Sequence, residues 1–341
     1  MALEPDNVNL QTKQMRKILF AVLFAVFAFA AQAQFNASKE PFITKSLTAE
    51  KFSKIDVSTS HGNITVTKVD PADARVEVFI RGNGVTDEKI SKEEIQSRLD
   101  QFYDLEVSVS KGELIALAKT KNNTFNWKRA LSISFSIYTA EAVSSDLKTS
   151  HGNIDLSGMS GDQSLSTSHG NISIDKVTGK VNGGTSHGNV YVKSVNNGVE
   201  MSTSHGDIKA DQCEGNIRLS TSNGNVGLNN LKGKIHAETS HGSVNGGTIE
   251  GELSAVTSHG SIALSDLNAA VETSTSHGNI TLQMAKGKGL NIDLRGKRIN
   301  VDKLENFSGS KEENSMKGTL NGGGMIVKAA TTKGTVNLEL K

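Results

Sequence analysis

The tetrapeptide Thr-Ser-His-Gly recurs through the middle of this chain, placing its histidine at His151, His169, His187, His205, His241, His259 and His277. Successive histidines are evenly spaced on an 18-residue period, except for a double interval after His205 that Asn223 divides within Thr221-Ser222-Asn223-Gly224. An earlier copy, Thr59-Ser60-His61-Gly62-Asn63-Ile64, stands apart from the series. Eight of the nine histidines thus occupy one slot of a repeat, and only His236 does not. A short fixed period constrains the fold strongly, because each unit is too small to bury an apolar face alone and must stack on its neighbours.

Within the repeat the pattern is strand, turn, strand, turn. Val181, Val199, Ile217, Ile235, Leu253 and Val271 stand ahead of the slot in successive copies, and Met201, Leu219, Ala237 and Ala255 take the next-but-one position. Between them stand only polar residues: Ser164, Asn182, Glu200, Arg218, His236, Ser254 and Glu272. This period-two alternation marks a strand with one buried face. Ile154, Ile172, Val190, Ile208, Val226, Val244, Ile262 and Ile280 open a second strand after the turn. A further apolar column runs through Val177, Val195, Cys213, Leu231, Ile249 and Leu267, with Gly161, Gly179, Gly215, Gly233 and Gly251 marking the second turn. Cys213 reads as a small buried hydrophobe, and as the lone cysteine it excludes an intramolecular disulfide and a cysteine-based zinc site.

The expected fold is all-β: a parallel β-solenoid, or β-helix, of 18-residue coils rising about 4.8 Å each. A β-propeller is ruled out, since a blade takes roughly 40 residues. Sequence does not fix the hand, though right-handed crossovers are the general expectation. The domain plan follows: signal peptide 1–33, linker 34–50, strand-rich N-terminal cap 51–146, regular repeats 147–284, and C-terminal coils with a cap over 285–341. In the N-terminal cap, strands are expected at 74–80, 105–109, 113–118 and 131–138, with a helix over 87–103 that places Ile95, Leu99 and Phe102 on one face. The segment Ser110-Lys111-Gly112-Glu113-Leu114 reads as a decayed copy of the turn, and Thr331-Thr332-Lys333-Gly334-Thr335-Val336 as a last coil.

The N-terminus reads as an address. Met15-Arg16-Lys17 is basic, the run from Ile18 to Ala31 is apolar without a break, and Ala31-Gln32-Ala33 predicts cleavage before Gln34. Such a run rises only about 21 Å, too short to span a bilayer core of about 30 Å. Met15 is a plausible start, no cysteine follows the run to accept a lipid anchor, and no second run reaches spanning length. An exported chain is expected, in the periplasm, on the outer surface or outside a Gram-negative bacterium. Lysine plus arginine total 37 against 36 acidic residues, a balance without the electrostatic footprint of nucleic-acid binding.

The histidine column has three readings. In the structural one, Gly permits positive φ and His, like Asn, tolerates the left-handed region, so Asn223 preserves the turn. Asn63, Asn153, Asn171, Asn189, Asn225 and Asn279 then satisfy turn amides between coils, and the Thr-Ser pair does likewise. In the metal reading, imidazoles about 4.8 Å apart at His151, His169, His187, His205, His241, His259 and His277 share Zn²⁺, Cu²⁺ or Ni²⁺. In the enzymatic reading, the chain acts on polysaccharide, with a cleft formed where 67–146 folds against the coils. Clustered carboxylates would be needed, whereas Asp155, Asp207, Asp211, Glu214, Glu238, Glu250 and Glu272 scatter among columns. The structural reading is preferred, with no catalytic residue, cofactor or metal assigned.

The signal peptide, the strand-rich N-terminal portion and the recurring Thr-Ser-x-Gly-Asn-Ile units resemble the bacterial "putative adhesin" domain family of exported β-solenoids. The close, Gly318-Thr319-Leu320-Asn321-Gly322-Gly323-Gly324-Met325-Ile326-Val327 followed by Thr332-Lys333-Gly334-Thr335-Val336, is also similar, and the likeness covers roughly 50–341. It implies a binding or scaffolding role in the envelope, with a glycan or a surface protein as partner, and no catalytic residues. The regular histidine exceeds the family's pattern, so no role transfers to it.

Overall fold

The computed structural model describes residues 40–83, 90–121, 129–140, 143–302 and 304–341. The signal segment, residues 34–39 of the expected linker and residues 87–89 of the expected helix lie outside them. Within the described residues the protein is all-β, with twenty-five strands in one hydrogen-bonded network, mostly parallel, and a single α-helix.

The N-terminal strands are β1 (Ile43–Ser46), β2 (Lys54–His61), β3 (Ile64–Lys68) and β4 (Arg75–Gly82). Helix α1 (Lys92–Phe102) follows, then β5 (Tyr103–Ser110), β6 (Glu113–Thr120) and β7 (Leu131–Thr139). The repeats supply β8 (Ser144–His151), β9 (Ile154–Ser157), β10 (Gln163–His169), β11 (Ile172–Val177), β12 (Val181–His187), β13 (Val190–Val195) and β14 (Val199–His205). Four longer strands come next, β15 (Ile208–Asn223), β16 (Val226–Thr239), β17 (Val244–Thr257) and β18 (Ile262–Thr275), and then β19 (Ile280–Met284). The C-terminal strands are β20 (Leu290–Arg295), β21 (Arg298–Val301), β22 (Phe307–Lys311), β23 (Ser315–Leu320), β24 (Met325–Thr331) and β25 (Thr335–Leu340).

Through the repeats each strand pairs in parallel with its own counterpart in the next copy. Val181 lies on Val199, Val199 on Ile217, Ile217 on Ile235 and Ile235 on Leu253. The apolar columns predicted from alternation therefore become ladders of like on like. Every member from Ile154 to Ile280 of the column that opens the second strand is fully buried, as are Val177, Val195 and Cys213. Burial also pushes the Cys213 thiol up from its usual range, in keeping with a packing role.

Both ends depart from this order. β2 sits between β8 and β6, and β3 between β9 and β7, so the separate copy at His61 is stacked directly on His151. β6 and β7 are then closed off by antiparallel partners, β5 and β4, and β1 adds to β4. The expected linker thus contributes a strand, Ile43–Ser46. The segment 110–114 is not a decayed turn of the repeat but the tip of the β5–β6 hairpin. Lys111 and Gly112 have φ of 51° and 77°, the paired positive values that a tight antiparallel hairpin requires. Helix α1 begins at Lys92, capped by Ser91 Oγ accepting from Glu94 N at 3.2 Å, and buries Ile95 and Leu99.

At the other end β24 and β25 return onto β18 and β19, with Thr331 on Thr275 and Val336 on Ile280. β20 and β21 stack beyond them, and the antiparallel pair β23–β22 closes β20. The last repeat in sequence is therefore not the outermost pair of strands in space.

The corner of the repeat also differs from expectation. Non-glycine residues with positive φ recur at Lys176, Ser194, Gln212, Asn230, Thr248 and Asp266, all between 49° and 59°. No histidine is among them, and β8, β10, β12 and β14 run to the slot as extended strand. The left-handed corner lies instead beyond the second strand's opening residues, immediately before the Val177 column. Each such residue costs roughly 1 kcal/mol, which the stacked repeats on either side must offset.

Candidate functional site

The exposed edge that carries the histidines is built by its neighbours. The threonine of each Thr-Ser-His-Gly unit points inward and is buried; Thr59 donates its hydroxyl to Ile133 O, and from Thr149 onward the hydroxyl donates to the carbonyl of the slot glycine in the copy stacked before it. Thr149 donates to Gly62, Thr167 to Gly152, Thr203 to Gly188 and Thr221 to Gly206, each at 3.0 Å. The same contact closes the far end, Thr331 to Gly278 at 2.8 Å. Each bond satisfies a buried hydroxyl in place, which is why an alcohol is tolerated in an otherwise apolar interior.

The glycine is required by close approach. A Cβ on Gly170 would lie 1.9 Å from the Gly152 carbonyl oxygen, and one on Gly206 would lie 2.0 Å from that of Gly188. Backbone touches backbone here, so no side chain fits. Beyond the glycine runs a side-chain ladder. Asn63 Oδ1 accepts from Asn153 N, Asn153 from Asn171 N, Asn171 from Asn189 N and Asn189 from Asp207 N, each at 2.8 Å. Asp207, Asn225, Ser243, Ser261 and Asn279 continue it as far as Thr335 N. The expected role of the asparagines as inter-repeat acceptors is what the geometry displays.

Held between these ladders, the imidazoles stack. Ring centroids are 4.6 Å apart for His61 and His151, 4.8 Å for His151 and His169, 4.9 Å for His169 and His187, and 4.7 Å for His187 and His205. The planes in this run diverge by no more than 2°. Asn223 interrupts the run, and His241, His259 and His277 form a second stack at 4.9 and 4.8 Å. Lys333 occupies the slot in the final repeat, its Nζ 2.9 Å from His277 Nε2. His61 is half-buried while the seven others are exposed. Burial, and secondarily the neighbouring His151, hold the His61 imidazole below its ordinary 6.5.

This arrangement does not suit a metal ion shared by adjacent rings. Imidazole lone pairs lie in the ring plane, and parallel planes send them outward side by side. A zinc ion bonds nitrogen at about 2.0–2.1 Å, so two nitrogens on one ion must converge to within about 4 Å. The stacked rings do not converge, and among the described residues no group of three or more His, Cys, Asp or Glu surrounds a common point. The acidic residues considered above also stay apart. Asp207 belongs to the asparagine ladder, Asp211 accepts from Asn230 Nδ2 at 2.8 Å, and Glu238 lies 3.6 Å from His236. Glu214 and Glu250 each face Lys232 in register, Glu272 faces Lys328, and Asp155 sits half-buried between Thr65 and Ser173. Burial raises the Asp155 carboxyl above its usual range.

A groove of about 810 Å³, not foreseen from the sequence, crosses several repeats on another face, lined by Lys180, Glu200, Arg218, Lys234, Glu252 and the exposed Ile326, among others. Its sequence signal was present in the charges at the alternating polar position, but only the return of β24 beside β18 brings Ile326 to its rim.

No family profile matches the chain, and no curated protein does. Three of the solved structures that are similar at low identity are as follows. A "putative lipid binding protein" from Parabacteroides distasonis is 14% identical, with 89% of this chain and 98% of that chain covered and a TM-score of 0.36. A "putative adhesin" from Parabacteroides merdae is 13% identical, with 89% and 97% covered and a TM-score of 0.33. A "putative adhesin" from Bacteroides fragilis is 15% identical, with 89% and 99% covered and a TM-score of 0.29. Scores in this range establish neither a common fold nor a common role.

Proposed function

We propose that the protein is an exported β-solenoid of 18-residue, right-handed coils, belonging to the adhesin-like family it resembles, and that it is a binding or scaffolding protein of the bacterial envelope. The observation that supports this most is the stacking of like residue on like residue. Along the Thr-Ser-His-Gly edge it turns the outward side chains into rows of like chemistry, a surface suited to an extended partner. Catalysis is not part of the reading, because the carboxylates needed for glycoside chemistry occupy separate columns rather than one cluster. Export rests on the basic, apolar and small-residue order of 15–33. Among the described residues no helix is long and apolar enough to cross a membrane.

A glycan array probed with residues 34–341 tests the role. Binding to a defined glycan class supports adhesion. A chain that binds no glycan and no envelope component, yet hydrolyses or cleaves a polysaccharide, overturns it. N-terminal sequencing of the exported protein should begin at Gln34.

A further inference from the structure

The edge is held by Thr and Asn side chains and by backbone bonds such as Gly152 N to His169 O, and none of those contacts uses the imidazole. Asn223 shows this directly, since it keeps the parallel pairing with His205 and the threonine bond of its repeat. The slot is therefore a position on which folding makes no demand for histidine. Even so, of the ten stacked slots eight hold His and one, Lys333, holds lysine. Their ring faces cover one another, so what reaches solvent is a row of nitrogen-bearing edges at intervals of 4.6 to 4.9 Å within each stack.

The seven exposed slot histidines make no ion pair with a carboxylate among the described residues; the one histidine–carboxylate contact is that of His236 with Glu238, on another column. Within four positions of the slot, across all repeats, the charged side chains are Lys148, Asp155, Asp207, Lys209, Glu238 and Lys333. Lys148 is paired with Asp146, Asp207 is held in the asparagine ladder, and Glu238 lies beside His236. The edge is thus a line of groups able to become cationic, bordered by neutral Ser and Asn, with little negative charge to quench it.

We infer that the histidine edge, His151, His169, His187 and His205 with the stack His241, His259 and His277 beyond Asn223, binds a linear acidic polysaccharide lengthwise and tightens its hold as the medium turns mildly acidic. This rests on the binding reading above and names its site and ligand class. Imidazole is the side chain whose charge changes in that range. Neighbouring imidazolium groups repel one another, and a chain of carboxylates laid along the row relieves that repulsion, so binding and protonation favour each other. An extended chain of pyranose rings advances by a step comparable to one repeat, whereas nucleic acid calls for fixed positive charge and open aromatic faces, which stacked rings do not offer.

The test uses residues 34–341 with polygalacturonate as probe, neutral dextran and duplex DNA as comparisons, and titration calorimetry at pH 7.5 and pH 5.5. Polygalacturonate should bind with proton uptake, and its affinity should rise about tenfold per pH unit for each proton taken up. A variant carrying His151→Asn, His169→Asn, His187→Asn and His205→Asn should melt like the parent yet lose most of the binding at pH 5.5. If the combined variant does not fold, His187→Asn alone should still reduce the proton uptake. Equal binding of polygalacturonate by parent and variant, equal binding of dextran, or tighter binding of DNA overturns the inference. A glycan-array hit that survives in the variant sinks this site while leaving the adhesive role intact; a parent that binds no glycan overturns the inference, and the binding role falls with it only if no envelope component is bound either.

Discussion

The repeats and the two ends use the same strands differently. From β8 to β18, neighbours in space are neighbours in repeat number, and pairing is parallel at a constant offset, which first slips between Leu264 and Leu267 where β18 meets β19. At either end, chain order and spatial order part. β2–β3 and β24–β25 are the outer repeats by register, although strands that precede or follow them in sequence stack beyond them. The ends then turn antiparallel, at β4, β5 and β23. A parallel stack offers an open edge to any further copy, and antiparallel partners of different sequence terminate it. Like-on-like packing keeps residues of one kind in the most regular inward columns, from Val181 to Val271 and from Ile154 to Ile280, whereas the ends tolerate variety because each strand meets an unlike partner.

Substitutions in matched pairs sharpen this contrast. The largest effect should come from Ile235→Asp, which places a carboxylate in a column where Ile217 and Leu253 press on both sides, and should cost about 4 kcal/mol or more. Ile43→Asp in the half-buried end strand β1 should cost about 1 kcal/mol. Denaturant melts of both variants check the pair, and equal losses would mean that the repeats are no more tightly specified than the ends. Next in size is Gly170→Ala, whose Cβ meets a backbone oxygen and should cost about 3 kcal/mol. Gly287→Ala, at φ of 84° with nothing within 4 Å, carries only the left-handed cost of roughly 1 kcal/mol.

Smaller still is Thr203→Val, which keeps the shape and removes the hydroxyl bond to Gly188, for a loss of about 1 kcal/mol by thermal melting. Two titrations at the junction of N-terminal part and repeats should move stability in opposite senses. His61 is held below 6.5, so the unfolded chain takes up its proton first as pH falls, and stability present above about 6.5 declines through the folded value. His61→Asn should flatten that decline in melts between pH 7.5 and pH 5. Asp155 is raised, so its burial lowers stability once pH exceeds the unfolded carboxyl value, and Asp155→Asn should stabilise at neutral pH with the gain vanishing towards pH 4. The smallest effect belongs to His187→Asn, expected within about 1 kcal/mol of the parent because Asn223 already fills the slot.

Period and alternation in the sequence alone determined the all-β class, the inward columns and the inter-repeat asparagines, because a side chain that recurs at one short fixed interval can be buried or bonded repeatedly only by stacking on itself. The strands near 75–82, 103–110, 113–120 and 131–139, and the helix face of Ile95 and Leu99, were legible from the same alternation. The left-handed corner was not, since Lys176, Ser194, Gln212, Asn230, Thr248 and Asp266 share nothing but polarity, and a φ value imposed by the repeats on either side leaves no residue signature. Nor could the glycine's true reason be read, because a carbonyl 1.9 Å from a would-be Cβ belongs to a residue in the previous repeat. Only the tertiary structure decided that His61 joins the stack and that Lys333 caps it, for both follow from long-range pairing across 90 and 56 residues of chain that local pattern cannot encode.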